Sequence, residues 1–288
     1  MQYPFKKMQS LGNDFVVLDG VCNNIQMTPS LAKRMADRHF GIGCDQILIA
    51  QRAESDATNI NGGASGFMYR IFNSDGSEVG QCGNGARCFA RFLIDQGLTN
   101  EREIHVETQT RPMVLYVNED GSVTVNMGCP LFEPEQVPFD APTESVSEKH
   151  TYSLNVGGRD LDVFVLSVGN PHCVYSVEDV TTDDVLELGP LIQSHDRFPE
   201  NVNAGFMQIV SKNHIRLRVY ERGVGETLGC GSGACAAVAS GIRAGLLDCE
   251  VKVSLSGGDA WVKWEGEENS PIFLTGPAHT VFSGTFDV

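Results

Sequence analysis

Two stretches of the chain carry the apolar spacing of an amphipathic helix. In Ala86–Ile94 and in Ala234–Ile242, apolar residues recur every three to four positions, and a glycine follows three residues after each stretch. Residues three and four apart share one face of a helix, and a glycine that can adopt positive φ commonly ends one. We therefore predict one long helix in each stretch, with Cys82 and Cys230 at or just before their N-termini.

Short apolar runs bounded by turn residues predict strands over most of the remaining chain. These runs are 5–10, 13–19, 46–50, 66–72, 104–108, 113–117, 123–127, 152–166, 204–210, 214–220, 251–255, 259–263 and 272–275, with 276–286 as a further candidate. Two other helices are predicted at 28–39, where Pro29 suits a first turn, and at 183–191. Residues 128–142 are rich in proline and lack periodicity, which indicates a connection between domains.

An internal repeat organises these elements. The segment Asn73–Arg87 aligns without a gap on Glu221–Cys235, at the offset of 148 residues that separates Cys82 from Cys230, and both copies contain Cys-Gly-polar-Gly-Ala. The strand–turn–strand segment 5–19 also has an echo in 167–175, and the turn of each copy contains a Gly-Asn pair, ending at Asn13 and at Asn170. A period of this length is that of a domain and not of a solenoid.

The repeat therefore predicts an α+β fold of two pseudo-symmetric domains, each a mixed, largely antiparallel sheet wrapped around a long central helix. We expect the first domain to span 1–130, with a C-terminal strand at about 276–288 as a candidate for returning to it, and the second to span 131–275. The active site is expected in the cleft between them.

Composition narrows the class of protein. A length of 288 residues favours two domains, and a formal charge of −16 argues against nucleic acid and anionic membrane surfaces as partners. A mean hydropathy of −0.13 without a long apolar run argues against a membrane span, and residues 1–8 lack the apolar core of a secretory signal. An odd number of cysteines, nine, then indicates reduced thiols in a cytoplasmic protein.

The two repeated cysteines suggest the chemistry. Glycine-rich turns at helix N-termini leave backbone N–H groups available to an anion, and they are expected to lower the pKa of a nearby thiol. One thiol and one carboxylate cradle from each half suit stereoinversion by two bases, in which a thiolate removes a proton from carbon and a thiol returns one on the opposite face. This chemistry requires no metal and no cofactor.

Two other interpretations remain open at this point. The pairs Cys82/Cys88 and Cys230/Cys235 could serve zinc or redox chemistry, although their spacing is unusual for ligands and positions five or six apart do not share a helix face. The glycine-rich turns could instead belong to a carboxylate-binding module without catalysis. Inactivation by iodoacetamide with protection by a ligand would favour stereoinversion, and bound zinc would favour the zinc interpretation.

Other acidic and sulfur-containing residues are given structural roles. We expect carboxylates near the turns to hold those turns and the helix starts, namely Asp14, Asp75, Glu78 and Glu226. We expect the other cysteines to be small buried hydrophobic residues, namely Cys22, Cys44, Cys88, Cys129, Cys173, Cys235 and Cys249.

The motifs together resemble a known family. The chain is similar over essentially its whole length to the diaminopimelate epimerases, which belong to the cofactor-independent amino-acid racemases together with the proline racemases. The segments that carry the resemblance are Leu11-Gly-Asn13-Asp-Phe, Gly43-Cys-Asp-Gln46, Asn73-Ser-Asp-Gly-Ser-Glu, Cys82-Gly-Asn84-Gly-Ala-Arg, Gly169-Asn170-Pro-His172, Asn201-Val-Asn203, Glu221-Arg222-Gly-Val-Gly-Glu-Thr and Cys230-Gly-Ser232-Gly-Ala. The departures are small, with Ser232 standing where the family commonly has threonine.

The resemblance implies a role for each matching residue. Cys82 and Cys230 would be the acid and base pair, and His172 and Glu221 would tune the pKa of the thiols. The carboxylate at the reacting carbon would be held by Gly83, Asn84, Gly231 and Ser232. The rest of the substrate would be bound by Asn13, Gln46, Asn73, Asn170, Asn203, Glu221 and Arg222.

The resemblance also implies a reaction and a biological setting. It implies interconversion of LL- and meso-2,6-diaminopimelate, in the route to lysine and peptidoglycan precursors. Members of the family are commonly homodimers and use no cofactor or metal. The expected partner is the small-molecule substrate diaminopimelate, with no nucleic acid and no membrane.

Overall fold

The chain folds into two compact units. The computed structural model describes residues 2–53, 66–80, 82–141, 150–182 and 184–288. The predicted helix start at Asp183 and the last residue of the predicted connection, Pro142, lie outside these residues. The first unit consists of Met1–Val125 and Gly276–Val288, and the second of Asn126–Thr275.

The elements of the chain follow the predicted alternation of strands and helices. In the first half of the sequence they are β1 (Gln2–Ser10), β2 (Asn13–Asp19), α1 (Pro29–Ala36), β3 (Gln46–Arg52), β4 (Phe67–Asn73), β5 (Glu78–Val79), α2 (Gly83–Asp95), β6 (Glu103–Glu107), β7 (Met113–Val117) and β8 (Val123–Gly128). The later elements are β9 (Tyr152–Val156), β10 (Arg159–Ser167), β11 (Pro171–Ser176), α3 (Asp184–Gln193), β12 (Asn203–Ser211), β13 (His214–Glu221), β14 (Gly225–Thr227), α4 (Gly231–Arg243), β15 (Glu250–Leu255), β16 (Gly258–Lys263), β17 (Ile272–Gly276) and β18 (His279–Asp287).

The sheet of the first unit is mixed and mainly antiparallel. Strand β1 pairs with β18 and with β2, and the order continues through β3, β4, β6 and β7. The parallel pairs are β2 with β3 and β4 with β6, and the short β5 forms a hairpin with β4. The second unit has the same order from β9 through β10, β11, β12, β13, β15 and β16 to β17, with parallel pairs β11–β12 and β13–β15.

The corresponding helices occupy corresponding places in the two units. Helices α1 and α3 connect the first parallel pair of their sheets, and α2 and α4 connect the second. The central strands β2 and β3 are continuous apolar runs because both of their faces are covered, as is typical of parallel strands between helices. On one face, Val16 and Ile47 pack with Met35 of α1. This arrangement confirms the predicted α+β class with a long central helix in each unit.

Three local features differ from the sequence-based expectation. Helix α1 ends at Ala36 and not at His39, because the Asp37 carboxylate accepts the backbone N–H groups of His39 at 2.7 Å and Phe40 at 2.8 Å in place of helical carbonyls. The strands β5 and β14 were not predicted, because two and three residues are too few to show a period. The connecting segment contains one turn of 3-10 helix, Pro134–Gln136.

Candidate active site

Both repeated cysteines are helix N-caps. Cys82 precedes α2 and Cys230 precedes α4, each in an extended backbone conformation, which confirms the placement predicted from the glycine-rich turns. The Cys82 sulfur accepts a hydrogen bond from the backbone N–H of Gly85 at 3.3 Å. A sulfur in this position satisfies one of the helix donors that otherwise lack a partner and faces the positive end of the helix dipole.

In the first unit, three predicted site residues lie where neighbouring strands of the sheet begin or end, on the same side of the sheet. Asn13 begins β2, Gln46 begins β3 and Asn73 ends β4. Because β2 and β3 are parallel and β4 is antiparallel to β3, these three positions lie at the same end of the three strands. Gln46 lies in register with Asn73. The Gln46 amide donates to the Asn73 side-chain oxygen at 2.9 Å. A tight turn, in which Leu11 and Gly12 have φ of 55° and 81°, places Asn13 at this end of the strands.

The Asn13 amide is oriented by neighbours on both of its ends. Its nitrogen donates to the Asp45 carboxylate at 2.7 Å, and its oxygen accepts from the Asn84 amide at 3.4 Å. The same Asn13 oxygen lies 4.0 Å from the Cys82 sulfur. Because the Asp45 carboxylate can only accept hydrogen bonds, it fixes which end of the amide faces the thiol. The structure thus brings Cys82, Asn13 and Asn84 together.

The sequence-based interpretation missed residues that hold this cluster. Arg87 is fully buried on α2 and donates to the Asn84 side-chain oxygen at 2.6 Å and to the Ser10 hydroxyl at 2.8 Å. Asp45 lies within a family motif but was given no role. The run Cys-Gly-Asn-Gly-Ala-Arg contained the signal for Arg87, since an arginine on the apolar face of a helix needs acceptors in the core.

In the second unit, the corresponding residues lie at the corresponding ends of the strands. Asn170 immediately precedes β11, Asn203 begins β12 and Glu221 ends β13, and His172 lies in register with Asn203. The Asn203 amide donates to the Pro171 carbonyl at 2.9 Å, and its oxygen accepts the Arg222 backbone N–H at 3.0 Å. These bonds set the Asn203 side chain between two strand ends.

Glu221 and Ser232 are the polar neighbours of Cys230. The Ser232 hydroxyl lies 3.6 Å from the Cys230 sulfur, and the Glu221 side chain is also within hydrogen-bonding reach of this sulfur. The Thr227 hydroxyl donates to the Glu221 carboxylate. The Arg222 guanidinium donates to the Glu200 carbonyl at 3.0 Å. Since a guanidinium has five N–H donors, Arg222 retains donors that can bind a further carboxylate.

The structure corrects the expected direction of one pKa. A lowered thiol pKa was expected at both helix starts, but burial and the nearby Glu221 carboxylate raise the pKa of Cys230 well above its ordinary value. The Ser232 hydroxyl and the Gly233 backbone N–H act in the opposite direction and are outweighed. Cys230 is only 3 % exposed, so it is a protonated thiol at neutral pH.

His172 is kept neutral by its surroundings. It is completely buried, and burial together with the Arg222 charge lowers its pKa from 6.5 to about 3. Its Nε2 lies 3.0 Å from the Asn170 side-chain oxygen, which selects the tautomer with a proton on Nε2. No hydrogen-bond partner of the buried Nδ1 is present among the residues that the structure describes.

The other cysteines fall into two groups. Cys44, Cys88, Cys173 and Cys235 are buried, as expected, whereas Cys22, Cys129 and Cys249 are exposed, so the expectation of burial was wrong for these three. Within the described ranges no group of three or more His, Cys, Asp or Glu side chains is close enough to hold a metal ion. In the same part of the chain no helix is both long and apolar enough to cross a membrane.

Comparison with known proteins identifies the family. The family model described as diaminopimelate epimerase matches residues 5–132 and 164–281. The diaminopimelate epimerase of Nitrosospira multiformis is 50 % identical over 288 residues, which cover 100 % of this chain and 99 % of that protein. The diaminopimelate epimerase of Nitrosomonas europaea is also 50 % identical, over 100 % of both chains.

Solved structures show the same fold at low sequence identity. A phenazine biosynthesis protein of the PhzF family from Bacillus anthracis superposes with a TM-score of 0.71 at 16 % identity, over 100 % of both chains. A hydroxyproline epimerase from Agrobacterium vitis, with bound trans-4-hydroxy-L-proline, superposes with a TM-score of 0.65 at 14 % identity, over 99 % of this chain and 92 % of that one. With its whole length matched at 50 % identity, this chain belongs to the diaminopimelate epimerase family.

Proposed function

We propose that this protein interconverts LL- and meso-2,6-diaminopimelate by moving the proton on one α-carbon between two cysteines. The observation that carries this proposal is a cysteine N-cap beside polar residues at the ends of neighbouring strands, an arrangement found once in each unit. Family membership supports the substrate, because relatives of 50 % identity are named diaminopimelate epimerase. Inversion at carbon needs two groups of similar chemistry on opposite faces, and a duplicated thiol meets this need.

The surroundings of the thiols support different resting states. The Cys82 sulfur is partly exposed, accepts the Gly85 N–H and lies 4.0 Å from the Asn13 side-chain oxygen. Burial and Glu221 instead keep the proton on Cys230. With its proton held in this way, Cys230 acts as the acid of the first turnover, and Cys82 acts as the base. After one turnover the proton has moved from the Cys230 side to the Cys82 side, and the opposite isomer becomes the matching substrate.

The backbone of the two turns stabilises the carbanion. When the α-proton leaves, negative charge develops on the neighbouring carboxylate, and the N–H groups at the two helix starts stabilise this charge. Gly83, Asn84, Gly231 and Ser232 hold this carboxylate. Gly residues allow the close approach that such contacts need. No step of this mechanism passes through a metal or a cofactor.

The remaining predicted site residues select the substrate. Diaminopimelate has a second amino-acid end, and the Arg222 guanidinium binds its carboxylate in a bidentate manner. The amides that bind the rest of the substrate are those of Asn13, Gln46, Asn73, Asn170 and Asn203, with Glu221 binding the distal ammonium group. His172 remains neutral and shapes the site beside Asn170. We further propose that the protein acts as a cytoplasmic homodimer that supplies lysine and peptidoglycan precursors.

Incubation of LL-diaminopimelate with the purified protein in D2O tests the reaction and the substrate together. We expect meso-diaminopimelate with deuterium at one α-carbon, detected by NMR and mass spectrometry. Cys82→Ser and Cys230→Ser are the controls, because a serine hydroxyl is a much weaker acid and a poor proton carrier, and each should lower the epimerisation rate by about a hundredfold or more. Absence of isomerisation in the wild-type protein, or near wild-type rates in either variant, would overturn the proposal.

A further inference from the structure

An arginine–glutamate ion pair recurs at the same place in both units. Arg70 Nε and Nη2 donate to the two oxygens of Glu78 at 2.7 and 2.8 Å. Arg218 Nε and Nη2 donate to the two oxygens of Glu226 at 2.6 and 2.9 Å. The pairs are related by the offset of 148 residues that also relates Cys82 to Cys230. We name them the first clamp, Arg70–Glu78, and the second clamp, Arg218–Glu226.

Each clamp closes the hairpin that leads to a cysteine. In the first unit Phe72 pairs with Glu78 between β4 and β5, and in the second Tyr220 pairs with Glu226 between β13 and β14. Each arginine lies two residues before the aromatic residue on the long strand, so it reaches its glutamate diagonally across the hairpin. The register is the same in both units, so the ion pair recurs together with the internal repeat.

The hairpins need such support because their second strands are very short. Strand β5 has two residues and β14 has three, so few ladder hydrogen bonds hold them. Each glutamate lies four residues before its cysteine, and the helix begins at the residue after the cysteine. The clamp therefore fixes one end of the segment that carries the thiol, and the helix fixes the other.

The geometry and burial of the clamps exceed those of an ordinary surface ion pair. Both are bidentate, and their four side chains are only 20 to 26 % exposed. Bidentate arginine–carboxylate pairs fix the mutual orientation of the groups as well as their separation. The Arg70 guanidinium also lies over the Phe72 ring at 4.9 Å, and Arg218 donates to the Val180 and Thr182 carbonyls at 2.8 and 3.0 Å.

We propose that the first clamp positions Cys82 and the second clamp positions Cys230, each independently of the other, for the two proton transfers. This inference rests on the proposed function. Arg70, Glu78, Arg218 and Glu226 are positioning residues and do not contact the substrate. Loss of one clamp should therefore lower the rate of the step that uses its own cysteine and leave the other step and the KM unchanged.

Elimination of fluoride from 3-fluoro-diaminopimelate separates the two steps, because it needs only one base. The isomer that Cys230→Ser still processes depends on Cys82, and the isomer that Cys82→Ser still processes depends on Cys230. In otherwise wild-type protein, Glu78→Gln should lower kcat for the Cys82-dependent isomer by roughly tenfold, since small misplacements of reacting groups cost rate steeply, and should change the other isomer less than about twofold. Glu226→Gln should give the reverse pattern.

Matched variants separate positioning from general loss of an ion pair. Arg91→Gln removes the Arg91–Asp95 pair from α2, and Lys252→Gln removes the Lys252–Asp259 pair from β15. Neither should change either elimination rate. Exchanging the two charges of the first clamp, by Arg70→Glu together with Glu78→Arg, should restore most of the Cys82-dependent rate. If Glu78→Gln fails to fold, this charge-exchanged variant tests the first clamp in its place.

The outcomes distinguish the clamp from the proposed function. If wild-type protein eliminates fluoride from neither isomer, the proposed function is wrong, and the rate at which iodoacetamide alkylates the partly exposed Cys82, measured by mass spectrometry, still tests the first clamp. If wild-type protein is active but Glu78→Gln slows both isomers equally, or slows neither, the clamp proposal is overturned. The clamp proposal is also overturned if Glu78→Gln leaves the alkylation rate of Cys82 unchanged, or if Glu226→Gln changes that rate equally.

Discussion

Burial sets the protonation of single residues beside the proposed substrate site. His172 has a pKa of about 3 in the folded protein and 6.5 as its ordinary value, because burial and Arg222 disfavour the charged ring. A histidine whose folded pKa is lowered contributes stability above pH 6.5, and this contribution is lost as the pH falls toward 3, since the unfolded chain then binds the extra proton.

The pH dependence of unfolding measures this linkage. Between pH 7 and pH 5 we expect the wild-type protein to lose about 2 kcal/mol of unfolding free energy through His172. His172→Gln should show a flatter dependence in this window in urea titrations, even if it is less stable at pH 7. His279→Gln is the control, because His279 is on an exposed part of β18, and it should keep the wild-type slope. A wild-type slope in His172→Gln would show that His172 is not held neutral.

The positions of the site residues were easier to predict than their charges. The placement of Cys82 and Cys230 at helix starts follows from local patterns, glycines before an apolar period of three to four, and it was correct for both. The raised pKa of Cys230 was not foreseen. It depends on burial and on Glu221, which lies nine residues before Cys230 in the sequence, at the end of β13. Such effects follow from tertiary packing, which local patterns do not contain.

At the scale of elements, one glycine governs how closely α2 packs on β4. A Cβ added at Gly85 would lie 2.3 Å from the hydroxyl oxygen of Tyr69, a side chain that is 1 % exposed. This hydroxyl also donates to the Cys82 carbonyl at 3.3 Å. The helix start and the buried tyrosine therefore occupy adjoining space, and only glycine fits between them.

Replacing Gly85 tests this packing. Gly85→Ala should destabilise the protein by about 1–3 kcal/mol through overpacking, although alanine is the better helix former. The matched variant is Gly233→Ala at the equivalent position of α4, where the nearest atom would be 3.0 Å from the added Cβ and belongs to the Val219 side chain. Gly233→Ala should cost less in thermal or urea unfolding. A larger loss in Gly233→Ala would contradict the packing account.

The elements themselves were predictable where a period was long enough to recognise. The two long helices and the main strands were found, because each spans several repeats of its period. Strands β5 and β14 were missed because they are shorter than that, and α1 was extended too far because the Asp37 side chain competes for backbone donors. The order of the strands within each sheet could not be predicted in this way, since pairing partners are set by contacts between distant segments.

At the scale of the whole molecule, the two units differ in chain order at one strand. The outer strand next to β10 is β9, which directly precedes it in sequence. The outer strand next to β1 is β18, which comes from the end of the chain. Both pairs are antiparallel, so β18 occupies in the first unit the place that β9 occupies in the second. The first unit is thus discontinuous in sequence, and the second is continuous.

A circular permutant can make the first unit continuous as well. Gln2 pairs with Asp287, so only Val288 and Met1 separate the paired ends, which is the length of a two-residue hairpin loop. In the permutant, residues 278–287 precede residues 2–277, and Asn-Gly replaces Val288 and Met1 as a turn that suits the strand twist. Pro277 stays at the new C-terminus, where its carbonyl can still accept the Ser10 hydroxyl, a bond of 2.7 Å.

We expect the permutant to fold cooperatively with a Tm within about 5 °C of wild type, since its ladder pairs are the same and a few degrees correspond to about 1 kcal/mol. Circular dichroism and calorimetry measure this. The control is the truncated chain 2–277, which lacks β18 and exposes the edge of β1, and it should be strongly destabilised or aggregate. The permutant also removes one of the two chain connections between the units, so its epimerase activity reports whether that connection contributes to catalysis. A permutant as unstable as the truncated chain would show that β18 does not act as the counterpart of β9.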